Sequence, residues 1–387
     1  MKMVVISHKI CWRDPSNNEL FATDGGFPSQ IRALSELFDQ TTLVVPVLEG
    51  PAPPGSQALS GHRLTIRPLG RLPRNLLARR LAYALWLPRY GPTIWLTCRN
   101  ADCVHALIPG DIGTFGLLAA LAQRKPLFVR YCGDWRRQTT LAQHIWKRLL
   151  ERCAGGRTVV IATGQHARPP SRRNRKISWI FATSLSKAEI AAHGHPRAHL
   201  PSTIPRIIVV CRLERSKGIH LLIDSIPHLA ERLPGVRLDV VGDGRELPAL
   251  RKRVSELDVG KRVTFHRQVN RDRVMELLGK ADLFCFPSES EGFPKAVVEA
   301  LACGLPVVGF PISVLPQLAT AGCAVLIDER SPQSIARAVC ECLSDTGKYV
   351  AMSAIAVKTA ANFSLEHWQE EIRDALESAW QPLRESA

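Results

Sequence analysis

Short apolar runs alternate with amphipathic stretches along most of this chain. An apolar run bounded by turn residues is typical of a buried strand, and an amphipathic stretch between two such runs is typical of a helix. The predicted strands are 2–7, 42–47, 103–108, 126–131, 158–162, 206–210, 236–241, 263–266, 283–286, 306–309 and 324–327. Because strands that alternate with helices form parallel sheets with right-handed crossovers, the pattern predicts an α/β protein.

The alternation stops near residue 168 and restarts near residue 206, which indicates two domains. A chain of 387 residues is also too long for one ordinary hydrophobic core. We therefore predict two Rossmann-like parallel-sheet domains that face each other across a cleft, with a C-terminal helix that returns to the N-terminal domain. The predicted boundaries are 1–178 for the N-terminal domain, 179–203 for a linker, 204–363 for the C-terminal domain and 364–387 for the C-terminal helix.

The composition is that of a globular protein, with 45% hydrophobic and 22% charged residues. Its 11 cysteines are scattered without a CxxC pair, so a structural zinc site is not expected and reduced thiols fit best. The apolar run at the N-terminus is too short for a signal peptide, and no run of about 18 apolar residues occurs. These features predict a cytoplasmic protein, either soluble or peripheral on the inner face of the plasma membrane.

The formal net charge of +16 indicates an anionic partner or surface. Nucleic acid is disfavoured, because the cations are dispersed and the sequence has no aromatic stacking motif. Residues 71–86 are basic and leucine-rich, with Tyr83 and Trp86 interleaved, so this segment could lie on an anionic bilayer. The alternative, which we prefer, is a surface helix whose leucines face the core. An anionic membrane surface remains a candidate partner.

Residues 285–309 form the stretch around which the chain is organised, a strand, an acidic loop, a helix and a strand. Pro294 suits the first helical position, and Gly304 suits the end of the helix. Glu291 precedes this helix and Glu299 lies about two turns along it. If the intervening residues are helical, the two glutamates are separated by about 12 Å along the axis.

This helix start is a candidate binding site for a sugar, a diphosphate and a ribose. A helix N-terminus favours a phosphate, and a carboxylate accepts hydrogen bonds from hydroxyl groups. Glu291 and Glu299 could therefore each hold one sugar ring, on either side of an anion. The alternative is that Glu291 caps the helix and Glu299 is a solvated surface residue. Spacing alone leaves both interpretations open.

Two cations follow the first strand of the second half. Arg212 and Lys217 lie on a loop that ends at Gly218, where a helix begins. Together they could neutralise a diphosphate, since arginine offers a planar fork and lysine a point charge. The alternative is that both are solvated loop residues.

Three residues of the first half are candidates for the same kind of site. Gly25 and Gly26 lie between a strand and a helix, where glycines let the backbone approach a ligand closely. Asp134 lies just beyond the carboxyl end of the strand 126–131, where side chains point toward the ligand crevice of such sheets. For all three residues a simple turn is the alternative.

Taken together, these motifs resemble the family 4 (group 1) retaining glycosyltransferases, which have the two-domain GT-B fold. The resemblance is strong over 206–365 and diffuse over 1–176. The matching elements are residues 212–218, 241–244, 286–295 and 299–308. In this setting the resemblance favours the binding interpretation of the two glutamates over the alternative.

The resemblance also implies a role for each candidate residue. Arg212 and Lys217 would hold the donor diphosphate, Glu299 the ribose hydroxyls, and Glu291 the donor sugar beside the anomeric carbon. Backbone amides would bind sugar or phosphate oxygens at Phe293, Lys295, Ala296 and Val297. Gly25 and Gly26 would approach the phosphates from the N-terminal domain, and Gly242, from the 241–244 element, is a further candidate.

The implied reaction moves a sugar from a nucleoside-diphosphate sugar to a glycan or lipid-linked acceptor in cell-surface polysaccharide biosynthesis. The anomeric configuration would be kept, and Glu291, Arg212 and Lys217 would be the catalytic residues. The cations and the helix end would stabilise the leaving group in place of a metal ion. The sequence contains no Asp-x-Asp motif, and no cofactor is expected beyond the donor substrate.

The sequence departs from the family pattern at Cys132, where many relatives carry a histidine, and at Arg267, where a glycine is usual. The missing histidine motivates an alternative function. The alternative is a non-catalytic GT-B relative that binds a sugar nucleotide without transferring the sugar.

Overall fold

The computed structural model describes residues 1–14, 17–73, 76–136, 138, 140–166, 168–200 and 204–380. The chain divides into two compact units. The first comprises Met1–Ser184 and Leu365–Ala387, and the second comprises Leu185–Ser364.

The first unit contains ten strands and five helices within its described residues. Its strands are β1 Lys2–Ile6, β2 Cys11–Asp14, β3 Asn17–Thr23, β4 Gln40–Glu49, β5 Gln57–Ala58, β6 Leu64–Leu69, β7 Cys103–Ile108, β8 Leu127–Tyr131, β9 Thr158–Thr163 and β10 Ser178–Ile180. Its helices are α1 Phe27–Ser35, α2 Leu76–Asn100, α3 Asp111–Ala122, α4 Leu141–Cys153 and the C-terminal α14 Leu365–Glu377.

The strands of the first unit form one sheet, in the order β10-β9-β8-β7-β1-β4-β2-β3-β5, with β6 also paired to β4. The central strands β1, β7 and β8 are parallel and buried, as their continuous apolar sequences require. The pairs β2–β3 and β3–β5 are antiparallel and were not predicted. Strands β2, β3 and β5 lie at the edge of the sheet, where strands need fewer apolar residues. Their polar sequences therefore lack the apolar run by which a buried strand is predicted.

The second unit contains six strands and nine helices within its described residues. Its strands are β11 Arg206–Val210, β12 Arg237–Val241, β13 Val263–Arg267, β14 Leu283–Phe286, β15 Val307–Gly309 and β16 Ala324–Leu326. Its helices are α5 Lys187–His193, α6 Ile219–Asp224, α7 Ile226–Arg232, α8 Leu247–Glu256, α9 Arg271–Lys280, α10 Lys295–Ala302, α11 Leu315–Ala321, α12 Pro332–Cys342 and α13 Thr346–Ala360.

All strand pairs of the second sheet are parallel, in the order β13-β12-β11-β14-β15-β16. Ile207 and Val209 of β11 join one hydrophobic cluster with α6, α8 and α12. Helices α5, α9 and α13 instead contact α10. Because β12, β11 and β14 are neighbours in this sheet and run parallel, their carboxyl ends lie side by side at one edge.

The predicted linker 179–203 is divided between the units. Residues up to Ser184 belong to the first unit and residues from Leu185 belong to the second. The reason is local, because Ser186 and Glu189 form a capping box that starts α5, and Ile190 of this helix is buried. Residues 201–203 lie outside the described residues.

The C-terminal helix α14 packs within the first unit, against α1. Its Trp368 is buried and lies 5.3 Å under the guanidinium of Arg130, and Gln369 donates a hydrogen bond to the carbonyl of Ala33 at 2.7 Å. Buried aromatic surface and a cation over the ring both stabilise this attachment.

The predicted helix 71–86 differs from the observed α2, which begins at Leu76 and continues to Asn100; residues 74 and 75 lie outside the described residues. The leucines of this segment whose side chains are described differ in exposure. Leu72 packs against the core cluster, whereas Leu85 is 80% exposed. The buried face of α2 is formed by Trp86, Ile94 and Cys98.

Candidate functional site

Loops at the carboxyl edge of the second sheet pack directly on one another. A Cβ atom at Gly242 would lie 1.8 Å from the carbonyl oxygen of Cys211, and one at Gly218 would lie 2.0 Å from that of Pro287. Both glycines have positive φ, 132° and 69°, which disfavours any other residue. The loop after β11 is thus held against the loop after β12 on one side and the loop after β14 on the other.

These contacts bring two of the predicted site residues together. The ammonium of Lys217 forms an ion pair and hydrogen bond with Oε1 of Glu291. The lysine side chain is 11% exposed and the glutamate side chain 27% exposed. The pair is therefore largely shielded from water, yet an anionic ligand could still reach the lysine and compete with the carboxylate for it.

Arg212 lies on the same loop and is exposed. Its backbone carbonyl accepts a hydrogen bond from the N–H of Glu214 at 2.9 Å, which shapes the loop. Its guanidinium forms no hydrogen bond or ion pair with any described residue. A cation in this position can rotate toward an anion without first losing a partner.

Helix α10 begins one residue later than predicted. Pro294 occupies the N-cap position, no side chain caps the helix, and the N–H of Val297 bonds to the carbonyl of Pro294 at 3.0 Å. Residues 291–294 are not helical, so the axial separation of about 12 Å expected for the two glutamates does not apply. Since Glu291 pairs with Lys217, the alternative that it caps the helix is not what the structure shows.

A ring contact and a hydrogen bond hold the residues around this helix start in place. The ring of Phe293 is buried and packs 5.5 Å from the ring of Phe363. Ser313 donates a hydrogen bond to the carbonyl of Gly292 at 2.8 Å. The backbone of the first turn, at Lys295, Ala296 and Val297, is therefore presented from a fixed position.

Glu299 lies one turn beyond Lys295 on α10 and is partly buried. Burial raises the pKa of its carboxyl, opposed by the positive charges of Lys295 and Arg271 and reinforced by the negative charge of Glu189. Arg271 is itself paired with Glu189 at 2.9 Å. Glu299 is thus not freely solvated, which argues against the alternative that it is a solvated surface residue.

The raised pKa of Glu299 predicts a pH-dependent cost to folding. A carboxyl with a raised pKa in the folded state favours folding below its ordinary pKa and loses that contribution as pH rises through the raised value. Glu299→Gln should therefore unfold at a higher temperature than the unchanged protein at pH 7. The difference should shrink toward zero at pH 4, as followed by thermal unfolding. A difference in unfolding temperature that grows as the pH falls would contradict a raised pKa of Glu299 as the cause.

Gly242 and Arg267 explain one departure from the family pattern. Arg267 has a φ of 57°, a left-handed conformation that glycine adopts at less cost. Its guanidinium binds Asp243 at 2.9 Å, and its carbonyl accepts a hydrogen bond from the N–H of Gly242 at 2.8 Å. The arginine thus adds a side-chain contact to this turn while adopting a left-handed backbone conformation.

The candidates of the first unit lie at the carboxyl edge of their own sheet. Gly25 has a φ of 72°, is exposed, and has no atom within 4 Å of the place of a Cβ atom; Gly26 is the N-cap of α1. Asp134 accepts a hydrogen bond from the N–H of Arg136 at 2.8 Å, the geometry of a turn. Cys132 is an exposed thiol directly after β8.

Sequence reasoning missed three residues near this site. Arg330 pairs with Glu289 at 3.2 Å, and Glu189 lies close enough to affect the Glu299 carboxyl. The acidic loop itself could have suggested Glu289. No local pattern points to Arg330 or Glu189, because both approach from distant segments. Among the described residues, no group of three or more His, Cys, Asp or Glu side chains could hold a metal ion.

Comparison with solved structures covers nearly the whole chain. The Anabaena HepE structure in complex with UDP and glucose matches with a TM-score of 0.70 and 19% identity, over 98% of this chain and 100% of that one. WaaG, a glycosyltransferase involved in lipopolysaccharide biosynthesis, matches with a TM-score of 0.66 and 16% identity, over 97% of this chain and 99% of that one. The protein therefore has the GT-B fold, as predicted.

Comparison of sequences finds a family match within the second unit. Residues 195–359 match the family described as glycosyl transferases group 1. This match confirms the predicted resemblance over that part of the chain.

Two curated relatives are each similar to a little under half of the chain. One is the D-inositol 3-phosphate glycosyltransferase of Corynebacterium urealyticum, 31% identical over 45% of this chain and 43% of the relative. The other is the GDP-mannose-dependent alpha-(1-6)-phosphatidylinositol monomannoside mannosyltransferase of Mycolicibacterium smegmatis, 31% identical over 44% of this chain and 46% of the relative. The similarity thus spans less than half the length of either relative.

Proposed function

We propose that this protein is a retaining glycosyltransferase. It would move a sugar from a nucleoside-diphosphate sugar to a glycan or lipid-linked acceptor in cell-surface polysaccharide biosynthesis. The observation that carries the proposal is the contact between Lys217 and Glu291 at the carboxyl edge of a group 1 glycosyltransferase unit. The names of the relatives support the substrate class, since they include GDP-mannose and a phosphatidylinositol mannoside.

The proposed chemistry follows from the charges at this edge. A donor diphosphate would take the ammonium of Lys217 from Glu291 and draw in the exposed guanidinium of Arg212. The negative charge that develops on the leaving diphosphate would then be stabilised by two cations and by the backbone amides at the start of α10. The carboxylate of Glu291, released from the lysine, would accept hydrogen bonds from the donor sugar.

The remaining assignments stay predictions. Glu299 would hold the ribose, Gly25 and Gly26 would meet the phosphates, and transfer would need no metal ion. A location on an anionic inner membrane surface is supported by the exposed Leu85 and Arg89 of α2. None of the described helices is both long and apolar enough to cross a lipid bilayer.

The test is nucleotide release from candidate donors. UDP-, GDP- and ADP-sugars are first ranked by thermal shift, since a ligand of the folded state raises its stability. With the best donor and a membrane extract as the acceptor source, the unchanged protein should release nucleoside diphosphate. Glu291→Ala should lower this release about 100-fold or more because it removes a contact with the reacting sugar. Glu341→Ala, an exposed carboxylate paired with Lys348, is the control and should change little.

The second candidate function is binding of a sugar nucleotide without transfer. The observation that favours it is Cys132, an exposed thiol after β8 at the position where the family resemblance implies a histidine. Binding of a donor by the unchanged protein without any release of nucleotide would support this alternative. Absence of binding to every donor would reject both functions.

A further inference from the structure

A second site is indicated by a cavity of about 500 Å³ within the first unit. Six cationic side chains line it: Arg136, Lys147, Arg148, Arg168, Arg172 and Arg173. Among the described residues that line the cavity, Glu151 alone carries a carboxylate. Such an excess of positive charge in a concave site favours an anionic ligand.

The cavity begins beside the loop that follows the carboxyl end of β8 and runs along helix α4 as far as Glu151, in the last turn of that helix. Its walls are the loop after β8, helix α4 and the segment 168–173 that follows β9, and β8 and β9 are neighbouring strands. The indole N–H of Trp135 donates to the carbonyl of Pro170 at 2.9 Å, and the ammonium of Lys147 donates to the carbonyl of Trp135 at 2.9 Å. The three walls are therefore tied together around the cavity.

The single carboxylate does not neutralise the cations. Glu151 is 10% exposed, accepts a hydrogen bond from the hydroxyl of Ser171 at 2.8 Å, and lies 3.9 Å from the guanidinium of Arg173. It therefore fixes the wall formed by 168–173. Arg148 and Arg172 are exposed and form no ion pair with a described carboxylate. Their planar guanidinium groups can each offer two parallel hydrogen bonds to a phosphate.

Two large apolar side chains stand exposed beside the cations. Leu141 is 78% exposed and Ile145 is 54% exposed, and both belong to α4. Residues three and four apart share a helix face, so these two are neighbours of each other and Ile145 is a neighbour of Arg148. An apolar pair next to clustered cations is suited to a ligand that joins a phosphate to a hydrocarbon chain.

We propose that this cavity binds the phosphate group of a lipid-borne acceptor, with the hydrocarbon chain lying on Leu141 and Ile145. The inference rests on the proposed function, because it assigns an acceptor class to the same transferase. Arg148 and Arg172 bind the phosphate oxygens, and Lys147 adds charge from the floor of the cavity.

The experiment uses three soluble probes, measured by isothermal titration calorimetry on the full chain. They are dihexanoyl phosphatidic acid below its micellar concentration, glycerol 3-phosphate, and dihexanoyl phosphatidylcholine. Phosphatidic acid should bind about tenfold or more tightly than glycerol 3-phosphate, because only the former has chains to contact the apolar pair. Phosphatidylcholine should not bind measurably, since the positive charge of its choline group offsets the negative charge of the phosphate.

Two double variants separate the phosphate contact from general charge. Arg148→Glu/Arg172→Glu should weaken phosphatidic acid binding at least about tenfold, because two charge-assisted contacts are lost. Arg67→Glu/Lys358→Glu makes the same charge change at exposed residues outside the cavity and should leave the affinity within about twofold.

A third double variant tests the apolar pair. Leu141→Asn/Ile145→Asn should lower the affinity for phosphatidic acid to that for glycerol 3-phosphate without altering the affinity for glycerol 3-phosphate.

Several results would overturn the inference. Equal affinity for glycerol 3-phosphate and phosphatidic acid would mean a site for free phosphate. Equal loss in the two charge variants would mean nonspecific attraction, and so would a single-stranded oligonucleotide that binds as tightly as phosphatidic acid. Donor binding by thermal shift should be unchanged in Arg148→Glu/Arg172→Glu, so a failure at this cavity is distinguishable from a failure of donor binding in the second unit.

Discussion

Lys217→Ala is expected to lower the kcat/KM of sugar transfer about 100- to 1,000-fold, the usual effect of removing one group that stabilises developing charge. The ammonium is held 11% exposed against Glu291, so its charge acts at short range and is little screened by water. If the lysine acts mainly on the leaving diphosphate, kcat should fall more than the affinity for the donor. Steady-state kinetics with varied donor concentration give both values.

Two further variants make the Lys217 result interpretable. Lys252→Ala removes the same charge at a side chain that is 80% exposed and should change kcat/KM by less than about twofold. Lys217→Arg keeps the charge but not the shape, so it should retain part of the activity. Because the pair is largely shielded from water, loss of the lysine leaves the Glu291 carboxylate without its partner, so the free energy of unfolding should fall by about 1–3 kcal/mol. Full transfer by Lys217→Ala would remove the lysine from the donor site.

Gly242→Ala is expected to lower the free energy of unfolding by at least about 3 kcal/mol. The added methyl would lie 1.8 Å from the carbonyl oxygen of Cys211, and the φ of 132° is itself strained for alanine. For a unit of this size the loss corresponds to a fall of about 6–12 °C in the Tm. Donor binding should fall as well, since Cys211 begins the loop that carries Arg212 and Lys217.

A matched glycine variant tests whether the position or the substitution matters. Gly279 lies within helix α9 and has no atom within 4 Å of the place of a Cβ atom. Gly279→Ala should therefore stabilise the protein, by up to about 1 kcal/mol, because alanine favours helix. Differential scanning calorimetry of both variants gives the comparison. A Gly242→Ala protein as stable as the unchanged chain would mean that the loops after β11 and β12 can separate at little cost.

Most elements of the second unit could be predicted because their signals are local. Strand β14 and helix α9 lie where the apolar period and the flanking turn residues place them. The prediction was less accurate where a signal is shared between distant segments. The sequence predicts linker where α5 lies, although Ser186 and Glu189 carry a capping-box signal, because a helix of seven residues depends on burial against the rest of the unit.

The candidate site was predicted in part. The residue types and their positions beside strand ends indicated Arg212, Lys217, Glu291 and Glu299, and the family resemblance favoured a shared role. Sequence could not predict that Lys217 and Glu291, 74 positions apart, contact each other in the structure. Nor could it predict that α10 begins at Lys295 with Pro294 in the N-cap position, which depends on how the loop before it is held.

The amino-acid order alone specified the two α/β units, the strand ends that carry polar residues and the resemblance of the second unit to the group 1 glycosyltransferases. These properties depend on periodicity and turn chemistry, which act over a few residues. Folding in three dimensions settled which strand ends lie side by side, and so paired Lys217 with Glu291 and gathered the cations that line the cavity beside α4. The reason is that neighbours in a parallel sheet are separated in sequence by whole crossovers, and only the packing of the sheet selects which of them meet.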